Sequence, residues 1–150
     1  MKTAILTIIL LATGLAQAKV KTEVLTAEQF IQVIGEYLKE SSSDIPNAFS
    51  GDLAEIGGGC IVSIQPIQPG KVGIARLVMN SDKGFKIDAA VFKNDIIKLQ
   101  KNEAEDGSYQ HSYSFGNGGL NKIVISHIDD ASDSITLQTG TTRLLCGVDY

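Results

Sequence analysis

His111 and His127 are the only imidazoles in the chain, and Asp129, Asp130 and Asp133 follow the second one closely. Two imidazoles and a carboxylate can ligate zinc, leaving a coordination position open for chemistry. The spacing argues against that reading. The two histidines fall on different predicted strands with no fixed ligand interval, and the aspartates cluster where the chain reads as a turn, in which Asp bonds the neighbouring backbone. The same turn lacks the regular Asp, Asn and Gly positions of a calcium loop. No metal and no cofactor are therefore expected.

Nucleophilic catalysis needs a serine in a strand-to-helix elbow or a cysteine beside a base. Neither arrangement is legible, so no catalytic residue is assigned. Glu103, Glu105 and Asp106 could act as a paired acid and base only if burial raised a carboxyl pKa, and they lie in a polar turn. Gly116-Asn117-Gly118-Gly119 is glycine-rich like a phosphate loop but has no following Lys-Ser/Thr and no helix, which leaves a hairpin connection. Tyr109, His111, Tyr113 and Phe115 alternate along one segment and so share a face. Aromatic bodies with polar tips make good contact surfaces, and these four are the candidate ligand-lining residues; packing into a core is the competing reading. With no Trp and 6% aromatic residues, a sugar-stacking platform is not expected.

Cys60 and Cys146 are the only cysteines, and an even pair in an exported chain reads as a disulfide. It would tie the first part of the β region to the C-terminal strand. Gly57-Gly58-Gly59 before Cys60 reads as a bend, with close approach of a ligand to the backbone as the alternative.

Export is expected from the first residues. Lys2 supplies a positive charge, Ala4 to Leu15 an apolar stretch, and Ala16-Gln17-Ala18 a small-residue cleavage site, so Met1 to Ala18 read as a signal peptide. The apolar stretch is shorter than the roughly 20 residues a membrane span needs. No membrane anchor is expected after cleavage, and residues 19–150 read as a single exported domain, periplasmic or extracellular. Without Lys2 the chain carries 12 basic and 17 acidic residues, a formal charge of −5, with no obvious basic cluster along the sequence. That balance disfavours nucleic acid or an anionic membrane surface as partner.

The elements that must position these side chains begin with one helix. Thr26 and Gln29 have capping-box spacing, with Leu25 and Phe30 at the staple positions. Ala27, Phe30, Ile31, Ile34, Tyr37 and Leu38 recur at intervals of three and four, an apolar stripe that ends near Glu40 before a loop-forming run through Asn47. Short β-branched runs follow: Cys60 to Gln65, Lys71 to Met79, Phe85 to Phe92, Asp95 to Gln100, Ser108 to Phe115, Leu120 to Ile128, Ser134 to Gln138 and Thr141 to Val148, with a short one at Leu53 to Ile56. Lys19 to Leu25 reads as a lead-in. Lys71 to Met79 and Leu120 to Ile128 are apolar on both faces, as expected for strands covered on both sides.

The fold class is α+β, mostly β: an N-terminal helix on an antiparallel meander of about seven or eight strands, curled as a barrel or sandwich. The expected function is a non-enzymatic binding or interaction domain for another extracytoplasmic protein, such as a protein inhibitor or envelope accessory protein. A carrier of a small apolar ligand and a hydrolase using His111 or His127 as base are the alternatives.

Overall fold

The computed structural model describes residues 19–41, 45–67 and 73–149. The leader Met1 to Ala18, and the start of the strand expected at Lys71, lie outside them. Strand β1 (Lys19–Thr26) leads into helix α1 (Ala27–Glu40), and nine strands follow: β2 (Ala48–Leu53), β3 (Gly59–Pro66), β4 (Ala75–Ser81), β5 (Lys86–Val91), β6 (Ile96–Glu103), β7 (Tyr109–Phe115), β8 (Asn121–Ile128), β9 (Ser132–Thr139) and β10 (Thr142–Asp149).

The helix forms where its caps and stripe demand. Thr26 Oγ1 accepts from the Gln29 N–H at 3.2 Å while Gln29 Oε1 accepts from the Thr26 N–H at 2.9 Å, so each side chain satisfies the other residue's otherwise orphaned backbone donor. Ala27, Phe30, Ile34 and Leu38 are fully buried, with Ile31 and Tyr37 packed at the margin.

All ten strands belong to one antiparallel sheet in the order β1-β6-β7-β8-β9-β10-β2-β3-β4-β5. It consists of two meanders, β2 to β5 and β6 to β10, joined where β10 pairs with β2, and β1 extends the sheet beyond β6. The sheet does not close. Instead it folds over at the β10–β2 junction, so that β5 packs across β9 and β10, and α1 sits against β1, β2, β3 and β6. The connection Phe92 to Asp95 is therefore a passage from one layer to the other, not a hairpin.

The disulfide marks the fold line. Cys60 on β3 and Cys146 on β10 flank β2 on opposite sides, facing Gly51 and Leu53 respectively. In a flat sheet, strands two apart lie about 9.6 Å from each other. The cysteine Cα atoms are only 5.9 Å apart, joined through their sulfurs, so the sheet turns a sharp corner about β2. Gly51 permits it: a Cβ there would stand 2.4 Å from the Gly147 carbonyl oxygen, closer than any side chain tolerates. The expected disulfide is present, and it fits an oxidising extracytoplasmic compartment. Among the described residues no helix is long and apolar enough to cross a membrane.

Two strands exceed the expected count. β1 reads as a lead-in because it has little buried surface, and β2 because Ser50, Gly51 and Asp52 are poor strand formers. The expectation that the Leu120 to Ile128 strand is covered on both faces is overturned. Ile123 and Ile125 are buried, but Lys122 is exposed and Val124 and Ser126 are half-exposed, because no second layer among the described residues covers the outer face of β8.

Candidate functional site

Residues directly opposite in an antiparallel sheet project to the same side, so the register assigns every side chain of β6 to β10 to an inner or an outer face. The aromatic stripe of β7 lies on the inner face and divides into two halves. Tyr113 and Phe115 are core residues, with ring centroids 5.4 and 5.1 Å from that of Phe30. Burial, with smaller contributions from Tyr109 and Glu23, pushes the Tyr113 phenol up to about 12.

Tyr109 and His111 stand towards the other end of the strand, where they meet His127. The Tyr109 ring centroid is 4.7 Å from that of His111 and 5.4 Å from that of His127. Glu103, Tyr109, His127 and Asp133 are successive register partners across β6 to β9. His111 Nε2 lies 3.0 Å from Glu103 Oε1, His127 Nδ1 lies 2.6 Å from Asp133 Oδ1, and His127 Nε2 lies 3.9 Å from Asp129 Oδ1. Burial, reinforced by the Asp133 charge, raises the Tyr109 phenol above its ordinary range. The sheet thus brings both histidines together around one tyrosine, with a carboxylate on each. Such a carboxylate fixes an imidazole's tautomer and orientation. The hydrogen-bond partners of both rings are carboxylates, not nucleophilic hydroxyls, and among the described residues no group of three or more His, Cys, Asp or Glu could hold a metal ion.

The other sequence candidates resolve into local structure. Glu103 is the partner of His111, whereas Asp106 turns back on its own loop: Oδ1 accepts from the Ser108 N–H at 2.9 Å. That hydrogen bond holds the Asp106 carboxyl below its ordinary range, the opposite of a general acid. Asn117–Gly119 form a 3-10 turn in the β7–β8 connection. The glycine run before Cys60 bends with positive φ at Gly57 and Gly58, and the close approach there is made by this chain's own Asp82, whose Oδ2 accepts from Gly59 N–H at 3.0 Å.

The outer face carries what the sequence did not suggest. Three successive rungs cross β1 and β6 to β10. The first contains Val24, Lys98, Ser114, Lys122, Gln138 and Arg143, the second Thr22, Gln100, Ser112, Val124, Thr136 and Leu145, and the third Val20, Asn102, Gln110, Ser126, Ser134 and Gly147. They hold three cations, many amides and hydroxyls, no aromatic ring and no carboxylate. Asp52, opposite Gly147, and Glu55, which accepts from the Leu145 N–H at 3.2 Å, border the patch on the β10 side. Twist makes a sheet saddle-shaped, and along one diagonal this face is concave, forming a cleft of about 340 Å³ over β6 to β10. Lys98, Lys122 and Arg143 are exposed, and none makes an ion pair with a described residue.

These residues were findable only in part. Polar alternation within each strand is visible in the sequence, but the cations are separated by more than 20 positions and only the register aligns them. Compared with protein-family models, with curated proteins and with solved structures, the chain matches none, and the functional reading rests on this geometry.

Proposed function

We propose that the protein is an exported, non-enzymatic binding domain that engages another extracytoplasmic protein through the outer face of β6 to β10. The observation that carries this reading is a concave face, built on a disulfide-clamped sheet, whose cations have no partner within the described chain. A clamped sheet needs little backbone ordering when a partner arrives, which is how preorganised surfaces gain affinity. An inhibitor and an envelope accessory protein are both concrete forms of it. The inner face supports the alternatives less well. Tyr113 and Phe115, expected with Tyr109 and His111 to line a carrier's cavity, lie against Phe30, and among the described residues the imidazoles' hydrogen-bond partners are the Glu103 and Asp133 carboxylates.

The test is a steric block. Ser112 is central to the cleft, and Ser112→Trp adds uncharged bulk there without touching the core. Photo-crosslinking from that face in native envelope or culture-medium extract should trap a defined protein partner, and Ser112→Trp should abolish the adduct while leaving the thermal unfolding midpoint within a few degrees. An adduct unchanged by Ser112→Trp sinks the reading.

A further inference from the structure

The chain is acidic overall, yet three adjacent rungs of its open face form a strip without a carboxylate, crossed by Lys98, Lys122 and Arg143. We propose that this strip receives an extended, acidic segment of a protein partner, with carboxylates recurring at every third residue. The inference rests on the reading of the outer face as the contact surface and adds the chemistry of what occupies it.

The spacing carries the argument. The three cations occupy alternate strands, β6, β8 and β10, of a single rung. Adjacent strands lie about 4.8 Å apart, so the cations recur at about 9.6 Å. A polyproline-II segment rises about 3.1 Å per residue with three residues per turn, which puts positions i, i+3 and i+6 on one side at about 9.3 Å intervals. Its carboxylates would meet the three cations in sequence while the segment ran across the strands. A β-conformation does not match, because residues three apart point to opposite sides. Polyproline-II backbone is also unbonded internally. Ser114 and Gln138, which separate the cations on the rung, can donate to and accept from it.

Two features favour a short protein segment over other polyanions. The strip has no aromatic ring on which a base or sugar could stack. A long polyanion would extend past the strip onto a surface whose net charge is negative, including Asp52 and Glu55 at its margin.

Fluorescence anisotropy on the purified protein tests this with a labelled nine-residue peptide bearing glutamate at every third position. Its controls are an isomer with the glutamates contiguous and a version with glutamine in their place. Exposed ion pairs are individually weak, so Lys98→Gln, Lys122→Gln and Arg143→Gln should each weaken binding about two- to five-fold. Together they should bring the peptide down to the level of its glutamine control. Raising salt to about 1 M, where charges screen within about 3 Å, should have the same effect. The contiguous isomer should bind more weakly than the spaced one. Equal binding by the glutamine peptide, or an unchanged triple variant, overturns the proposal. So does displacement of the peptide by a uronate oligosaccharide of matched length at lower concentration, which would make the ligand a polysaccharide. The two readings fail separately. A partner adduct lost in Ser112→Trp but kept in the triple variant preserves the contact face and ends the acidic segment, whereas an adduct kept in both ends the contact face itself.

Discussion

The two faces of β6 to β10 use the same strands and the same register, yet they treat charge in opposite ways. On the inner face, Glu103 meets His111, Asp133 meets His127, and Glu23 meets Lys101 at 3.4 Å, beside a core of Phe30, Tyr113 and Phe115. On the outer face, three cations stand in a row without a partner in the described chain. Charges near a low-dielectric core must be paired because desolvation penalises them. Charges in water carry no such requirement, and can be held for a ligand.

If the inner face is where stability resides, breaking its frame should give the largest effect. In the chain-entropy model, a disulfide spanning 86 positions contributes about 4–5 kcal/mol, an upper guide since native strain reduces it. Cys60→Ser with Cys146→Ser should lower the denaturant midpoint by a corresponding amount, because the corner about β2 loses its clamp. A loss under about 1 kcal/mol would place the stability of the folded-over sheet elsewhere. Next in size is Phe30→Ala. It removes the ring on which Tyr113 and Phe115 converge and should cost about 3–5 kcal/mol by equilibrium unfolding.

Tyr113 sharpens the comparison through pH. Its folded-state phenol stands at about 12, above the unfolded value near 10, because the folded chain favours the neutral form. Above pH 10 the unfolded state therefore binds fewer protons than the folded state, and stability falls as pH rises. The full contribution is present below pH 10 and is lost towards pH 12, at most about 2–3 kcal/mol in all, since each tenfold difference in proton affinity is worth about 1.36 kcal/mol. Tyr113→Phe should flatten this alkaline decline, leaving the smaller contribution of Tyr109. An equally steep decline in the variant would mean that other groups govern it.

Much of this architecture is legible in the sequence, and the reasons differ by element. Helix α1 declares itself through Thr26, Gln29 and a stripe whose spacing only a helix brings to one side. The hairpins at Asn80 to Gly84, Lys101 to Gly107, Gly116 to Gly119 and Asp129 to Asp133 declare themselves through turn residues. β1 and β2 do not, since strand grammar is written in buried apolar residues. β1 exposes Val20 and Val24, while β2 trades apolar residues for the glycine its corner needs. The fold-over of the sheet and the pairing of β10 with β2 are long-range choices that leave no local mark. The same holds for function. His111 and His127 are conspicuous by type, yet only the register shows that they share Tyr109. Lys98, Lys122 and Arg143 are inconspicuous by type and become a row only when strands distant in sequence lie side by side.

The smallest expected effect is the most discriminating. Neutralising Lys98, Lys122 and Arg143 together should leave stability within about 0.5 kcal/mol of the parent near 0.15 M salt, as for exposed residues without packing or pairing roles. Two charge effects oppose each other in this variant. Unit charges about 10 Å apart in water repel by about 0.4 kcal/mol per pair before screening, so removal relieves two neighbours along the row, while the 17 acidic residues of the chain lose three cations that attract them. The net change should be small in thermal unfolding and shrink from low ionic strength to about 0.15 M salt, where the screening length is about 8 Å. Asp133→Asn, which takes the charge out of the 2.6 Å contact to His127, should destabilise at both ionic strengths, because a partly buried pair is screened less. A triple variant that lost more than about 1 kcal/mol would make the outer cations part of the scaffold, and the division between a face that holds the fold and a face that awaits a partner would collapse.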